Sequence, residues 1–102
     1  MTSVTVVDYG AGNLFSVTQV LQHCGAEAKL ATSPKEILNA EKIILPGVGA
    51  FGKAIDKIKY SGFDEALRQF AASSRPLLGI CLGMQLLFDS SNEHGTHEGL
   101  GL

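Results

Sequence analysis

Cys81 is the residue whose type and surroundings most directly suggest chemistry. It is the centre of the run Gly79-Ile80-Cys81-Leu82-Gly83, the cysteine counterpart of the Gly-x-Ser-x-Gly nucleophile elbow. A sharp turn needs small flanking residues, and a thiol reacts as the thiolate, which the start of a helix favours. The amide of Leu82 would then point at a developing oxyanion. The spacing alone leaves a buried core thiol as an equally good interpretation.

Two other glycine-rich runs accompany this motif. Pro46-Gly47-Val48-Gly49 could supply a second oxyanion donor, because glycine lets a backbone approach a ligand closely, although alone it indicates only a turn. Gly10-Ala11-Gly12 resembles the start of a dinucleotide fingerprint, but Phe15 occupies the third glycine position. No acidic residue closes the second strand either, so no nucleotide cofactor is expected.

The remaining cysteine and histidines predict structure rather than chemistry. Cys24 falls on the apolar stripe of a helical pattern and is expected in the core. The two cysteines match no zinc spacing, so no metal site is expected. His94 and His97 lie in a polar, glycine-containing stretch, where a solvated loop is the preferred interpretation over a catalytic role.

The elements that must position these loops alternate between short β-rich runs and helical runs. Strands are predicted at residues 4–7, 27–31, 42–45 and 77–80, and helices at 14–24, from 34, and at 51–59, 63–72 and 82–88. This alternation predicts an α/β fold with a parallel sheet flanked by helices, flavodoxin-like. It does not fix the strand order, for which the flavodoxin-like order 2-1-3-4 is assumed. Because ligands bind at the carboxyl ends of parallel strands, the three loops are expected to converge on one edge.

Composition excludes several classes of protein. The chain has 102 residues, 45% hydrophobic and 18% charged, with a formal net charge of −2. This is the composition of one globular domain, with no basic excess for binding nucleic acid or an anionic membrane. The start lacks the pattern of a signal peptide and the longest apolar stretch is too short to span a bilayer, so a cytoplasmic protein with reduced thiols is expected.

Three motifs together carry a family resemblance. They are Asp8-Tyr9-Gly10-Ala11-Gly12-Asn13-Leu14, Leu45-Pro46-Gly47-Val48-Gly49-Ala50-Phe51-Gly52 and Leu78-Gly79-Ile80-Cys81-Leu82-Gly83-Met84-Gln85. The third resembles the elbow of class I (triad) glutamine amidotransferases. The first narrows the resemblance to the glutamine amidotransferase subunits of imidazole glycerol phosphate synthases, and the likeness covers essentially the whole chain.

The resemblance implies a glutaminase mechanism. Cys81 would attack the side-chain amide of L-glutamine, and amides near Val48 or Gly49, with that of Leu82, would hold the oxyanion. Gly49 and Gln85 match positions that contact the substrate. Ammonia would pass to a (β/α)₈-barrel cyclase subunit, the partner in a heterodimer with hydrolase and lyase activity in histidine biosynthesis.

The family's triad also needs a His-x-Glu downstream of the cysteine, which this chain lacks. Family members are much longer, so residues 1–102 are expected to form the N-terminal part of a single class I domain with an incomplete sheet. Without a general base, typically worth about 10²–10⁴-fold, the chain is expected to be inactive by itself. Open apolar edges also predict self-association.

Two alternative functions remain open from the residues alone. One is a non-catalytic flavodoxin-like binding or assembly module, in which Cys81 would be an ordinary thiol. The other is a dinucleotide-binding half-domain, which the departures from the glycine fingerprint disfavour. The relative reactivity of Cys81 and Cys24 discriminates between a glutaminase and a binding module.

Overall fold

The computed structural model describes residues 2–10 and 13–102 and forms a four-stranded parallel sheet with helices on both faces. The strands are β1 (Ser3–Val7), β2 (Glu27–Ala31), β3 (Ile43–Leu45) and β4 (Leu77–Gly79), and the helices are α1 (Leu14–His23), α2 (Pro34–Leu38), α3 (Phe51–Tyr60), α4 (Phe63–Ala72) and α5 (Leu82–Leu86). The parallel sheet confirms the predicted fold class, and its strand order β2-β1-β3-β4 is the one assumed for a flavodoxin-like fold. Ala11 and Gly12, the end of the first glycine-rich run, lie outside the described residues.

One face of the sheet carries the main core. Helices α2, α3 and α4 pack there, and α4 buries the apolar face that its spacing predicts, with Phe63, Leu67 and Phe70 almost inaccessible to solvent. The side chain of Ser33 accepts from the amide of Glu36, which confirms the predicted cap at the start of α2. Within residues 2–10 and 13–102, no helix is long and apolar enough to cross a membrane.

The opposite face is covered only thinly. Val4, Val6 and Ile44 form a small second cluster there, against which α1 packs with partly buried side chains. No residue of α1 is fully buried. Leu78 of β4 is 57% exposed, so the β4 side of this face presents apolar surface to solvent.

The prediction that Cys24 lies in the core is wrong, because its thiol is exposed. Cys24 comes one residue after the last residue of α1, where its amide donates to the carbonyl of Val20 at 3.0 Å. The stripe of α1 packs against the second cluster through Leu14, Val17 and Leu21. Cys24 lies beyond the last residue of the helix, where this contact has ended.

The C-terminal residues are more ordered than the sequence suggests. Two short antiparallel strands, β5 (Ser90–Ser91) and β6 (His97–Glu98), form a hairpin. The chain then returns to α5, where the amide of Leu100 donates to Leu86 at 2.8 Å and its side chain is buried. His97 is consequently half-buried in a strand, which corrects the expectation of a solvated loop; His94 is exposed, as expected.

Candidate active site

Cys81 occupies a strained turn between β4 and α5. Its backbone has φ +54° and ψ −122°, a conformation that non-glycine residues rarely adopt. Such strain costs on the order of 1–3 kcal/mol and persists only where the surroundings enforce it. The thiol itself is exposed, so the interpretation of Cys81 as a buried core residue is excluded.

The flanking glycines are required because backbone passes too close for a side chain. A Cβ at Gly79 would lie 2.6 Å from the Cα of Met84, and one at Gly83 would overlap the carbonyl oxygen of Leu45. The same carbonyl accepts from the amide of Ile80 at 3.0 Å, which ties the turn to the end of β3. The Gly-x-Cys-x-Gly spacing therefore has a steric basis on both sides of the thiol.

The loop after β3 packs directly against this turn. A Cβ at Gly47 would lie 2.9 Å from the amide nitrogen of Gly83 and 2.6 Å from the hydroxyl of Tyr9, so this position also admits only glycine. Two of the three glycine-rich runs are thus brought together at the carboxyl ends of neighbouring strands β3 and β4.

The amide of Leu82 is not free in this conformation. It donates to the carbonyl oxygen of Gly47 at 3.2 Å, whereas the sequence predicted that it would point at an open oxyanion site. The described peptide bonds are all trans, so the N–H of Val48 points opposite to the Gly47 carbonyl and away from Leu82. The two amides therefore do not converge on one point here.

The other predicted site residues are accessible to solvent. Val48 is 58% exposed, and Gly49 has φ +96° with open space around the position of a Cβ. Gln85 is exposed one helical turn after Cys81, and its backbone amide nitrogen lies 3.4 Å from the carbonyl oxygen of Cys81. Their contacts with a substrate remain predictions.

Tyr9 is a site residue that the sequence analysis did not single out. Its buried hydroxyl donates to the carbonyl of Pro46 at 2.7 Å, across 37 positions of the chain. Burial raises the pKa of Tyr9 to about 12, so the hydroxyl stays a neutral donor at any physiological pH. Only its place in the first motif, two residues after the end of β1, could have indicated this role.

Glu93 is a second residue that sequence reasoning missed. Helix α3 begins after Ala50, which has no side-chain oxygen to accept its first amides. The carboxylate of Glu93 supplies that oxygen, accepting from the amide of Phe51 at 3.1 Å. Ala50 at the N-cap position was the available signal, because a helix start without a side-chain cap needs a hydrogen-bond acceptor from another part of the chain.

A cleft of about 430 Å³ lies beside the contact between the start of α3 and the C-terminal hairpin. Its lining includes Lys53, Asp56, Glu93, His94 and His97. The ring of His97 lies against Gly52, and its Nε2 is 3.3 Å from the carbonyl of His94. Cys81 is not part of the lining. Among residues 2–10 and 13–102, no group of histidine, cysteine or acidic side chains could hold a metal.

The fold has a counterpart in a known class of enzymes. The chain belongs to the class-I glutamine amidotransferase family, whose family model matches residues 5–98. A solved structure described as a glutamine amidotransferase superimposes with a TM-score of 0.70 over 81% of this chain and 44% of its own. At 21% identity, that likeness establishes the fold alone.

Two curated relatives are similar at the level of sequence, and both are called imidazole glycerol phosphate synthase subunit HisH, in one case HisH 1. The protein of Sulfurimonas denitrificans is 52% identical over 97% of this chain, and that of Legionella pneumophila strain Lens is 48% identical over 100% of it. This chain covers 48% of each of them. It therefore spans about half the length of the curated relatives it matches.

Proposed function

We propose that this chain carries the nucleophile part of a glutaminase site, with L-glutamine as substrate and Cys81 as nucleophile. The observation that carries the proposal is the backbone of Cys81, held at φ +54° by glycines that have no room for a side chain. An exposed thiol on an enforced strained turn is the arrangement that a nucleophile elbow requires. A binding module would have no use for this strain at one residue.

In the proposed reaction, the Cys81 thiolate attacks the side-chain amide carbon of glutamine. A carbon–sulfur bond forms, and the carbonyl electron pair moves to oxygen. Collapse of this intermediate breaks the carbon–nitrogen bond, and the nitrogen leaves as ammonia after taking from solvent the equivalent of the proton that the Cys81 thiol lost on ionising. Water then cleaves the thioester, which releases glutamate and restores the thiol.

Oxyanion stabilisation requires a change at the Gly47–Val48 peptide. The Gly47 carbonyl and the Val48 N–H share one rigid plane, so one rotation affects both groups. Turning this plane releases the amide of Leu82 and directs the N–H of Val48 toward the elbow. The long 3.2 Å bond between Leu82 and Gly47 is the interaction that this rotation gives up.

Turnover also requires a general base, and we propose that these 102 residues alone do not sustain it. His97 lies 3.3 Å from the His94 carbonyl in the cleft by α3, and neither histidine forms a hydrogen bond with Cys81 among the described residues. Thiol modification by a reactive glutamine analogue needs no downstream base, so Cys81 is still expected to be labelled.

We propose a cytoplasmic role in histidine biosynthesis, with a (β/α)₈-barrel cyclase subunit as partner and recipient of the ammonia. The support for this assignment is the identity of 48–52% with proteins named as imidazole glycerol phosphate synthase subunits. Gly49 and Gln85 are proposed to contact the substrate, as the family resemblance implies. Self-association through the sheet face with exposed Leu78 also stays a prediction.

The test is alkylation by a diazoketone analogue of glutamine, followed by mass spectrometry of the two cysteine peptides. Both thiols are exposed, so Cys24 is an internal control for accessibility. We expect Cys81 to be labelled at least about tenfold faster than Cys24, a difference of about 1.4 kcal/mol in barrier. Excess L-glutamine should slow labelling of Cys81 only.

Iodoacetamide, which does not resemble glutamine, gives the matched comparison reagent. A selectivity for Cys81 that is seen with the analogue and lost with iodoacetamide indicates substrate recognition. Equal and slow labelling of Cys81 and Cys24 by the analogue, without protection by glutamine, would contradict the proposal and favour a binding module.

A further inference from the structure

We propose that Tyr9 is a positioning residue of the glutaminase site, holding the Pro46 carbonyl so that the glycine-rich loop pivots from a fixed point. The inference rests on the proposed function and deepens it. Tyr9 does not touch the reacting atoms; it acts through the loop of Pro46, Gly47 and Val48. The loop in turn presents its peptide groups to the Cys81 turn.

The contacts of Tyr9 fix the loop at the peptide that joins Pro46 to Gly47. Its hydroxyl donates to the carbonyl of Pro46 at 2.7 Å and lies where a Cβ at Gly47 would be 2.6 Å away. The side chain is 5% exposed, so water cannot readily replace the bond. The Pro46–Gly47 peptide is therefore held by a short, buried hydrogen bond.

The next peptide is held less tightly. The Gly47 carbonyl accepts from Leu82 at 3.2 Å, which is near the long limit for an N–H···O bond. When the loop changes conformation, this second bond gives way before the bond of Tyr9. The difference confines the rotation to the Gly47–Val48 peptide, because the Pro46 carbonyl stays in place.

Tyr9→Phe removes the hydroxyl and keeps the ring. We expect exchange of the Leu82 amide hydrogen, which is bonded to the Gly47 carbonyl, to rise by about threefold to tenfold, the range that one net hydrogen bond supplies. Labelling of Cys81 by the glutamine analogue should fall by a similar factor, while labelling by iodoacetamide stays unchanged. Tyr60→Phe is the matched control, because Tyr60 is 95% exposed.

Unchanged exchange at the Leu82 amide in a folded Tyr9→Phe variant would overturn the proposal, even if Cys81 remains selective for the analogue. Absence of selectivity in the unmodified chain would instead contradict the proposed glutaminase, and the exchange measurement would still decide the role of Tyr9. Equal losses with both alkylating reagents would indicate a merely structural role and overturn positioning.

A second variant covers the case in which Tyr9→Phe does not fold. The chain has two tyrosines, so incorporation of 3-fluorotyrosine in the Tyr60→Phe background labels position 9 alone. The fluorinated hydroxyl is a stronger hydrogen-bond donor of nearly the same size. Slower exchange at the Leu82 amide than in unlabelled Tyr60→Phe supports the proposal, and equal or faster exchange overturns it.

Discussion

The two cysteines are both exposed and both adjoin a helix terminus, yet their backbones differ completely. Cys24 follows the last residue of α1 with φ −80° and ψ 1°, an ordinary conformation for a helix end. Cys81 precedes α5 with φ +54° and ψ −122°. Exposure and a neighbouring helix therefore do not distinguish a candidate nucleophile from an ordinary thiol, but the backbone conformation does.

The glycines beside the two cysteines have opposite uses. Gly25, next to Cys24, adopts φ +85° itself and has no atom within 4 Å of a Cβ position. Gly79 and Gly83 instead make room for backbone, and Cys81 between them takes the positive φ. Glycine adopts a positive φ without strain. At the end of α1 the residue with positive φ is Gly25, whereas at the elbow it is Cys81, which bears the strain.

The largest expected effect on stability is that of a glycine-to-alanine substitution at the Cys81 turn, compared with the same substitution at the Cys24 turn. Gly83→Ala should lower the free energy of unfolding by at least about 3 kcal/mol, because its Cβ would overlap the carbonyl of Leu45, which is fixed in β3. Gly25→Ala should cost only about 1 kcal/mol, the ordinary penalty for a left-handed residue. Urea unfolding followed by circular dichroism measures both variants, and similar losses would show that the elbow is not tightly enclosed.

A second prediction concerns the buried phenol of Tyr9, which contacts the loop that packs against the Cys81 turn. The turn at Cys24 has no such neighbour, because no atom lies within 4 Å of a Cβ position at Gly25. The pKa of Tyr9 is raised from 10.0 to about 12, so the folded protein keeps this proton after the unfolded chain has lost it. Its contribution to stability is complete below pH 10 and is lost as pH rises toward 12. The slope should approach about 1.4 kcal/mol per pH unit.

Unfolding of the unmodified chain, Tyr9→Phe and Tyr60→Phe over this pH range measures the contribution. Tyr9→Phe should show a flatter alkaline decline, while the exposed Tyr60 should make no difference. An equally steep decline in all three proteins would mean that the phenol of Tyr9 is not enclosed beneath the loop.

Much of the fold could be predicted because its signals are local. Helix α4 was predicted with the observed bounds, since its apolar residues recur at helical spacing. Strands β3 and β4 are short and wholly apolar, a pattern typical of parallel sheets, although β4 lies at an edge of the described sheet. The C-terminal hairpin was missed because two-residue strands carry too little alternation to be recognised.

The site could be predicted only in part, for a related reason. Cys81 and its glycines form a local pattern, and each residue constrains its neighbours within five positions. The contacts of Tyr9 with Pro46 and of Glu93 with Phe51 join residues 37 and 42 positions apart. No local spacing encodes such pairs: the pairing of β1 with β3 brings Tyr9 to Pro46, and the packing of the hairpin against α3 brings Glu93 to Phe51.

The smallest expected effect is the most specific for the strain at Cys81. Cys81→Gly removes the penalty for positive φ, about 1–3 kcal/mol, and adds the entropy cost of glycine, about 0.5–1 kcal/mol. The free energy of unfolding should therefore rise by about 1 kcal/mol, or roughly 4–8 °C in melting temperature. Cys24→Gly has no strain to relieve and should lower stability by about 0.5–1 kcal/mol.

The opposite signs of these two changes make the comparison decisive. Loss of a thiol is common to both variants, so side-chain chemistry cancels and the backbone term remains. If Cys81→Gly raises the free energy of unfolding and Cys24→Gly lowers it, the chain retains Cys81 at a cost in stability, as expected for a functional nucleophile. Destabilisation of similar size at both positions would remove the strain argument, because the turn would then be one that cysteine adopts without penalty.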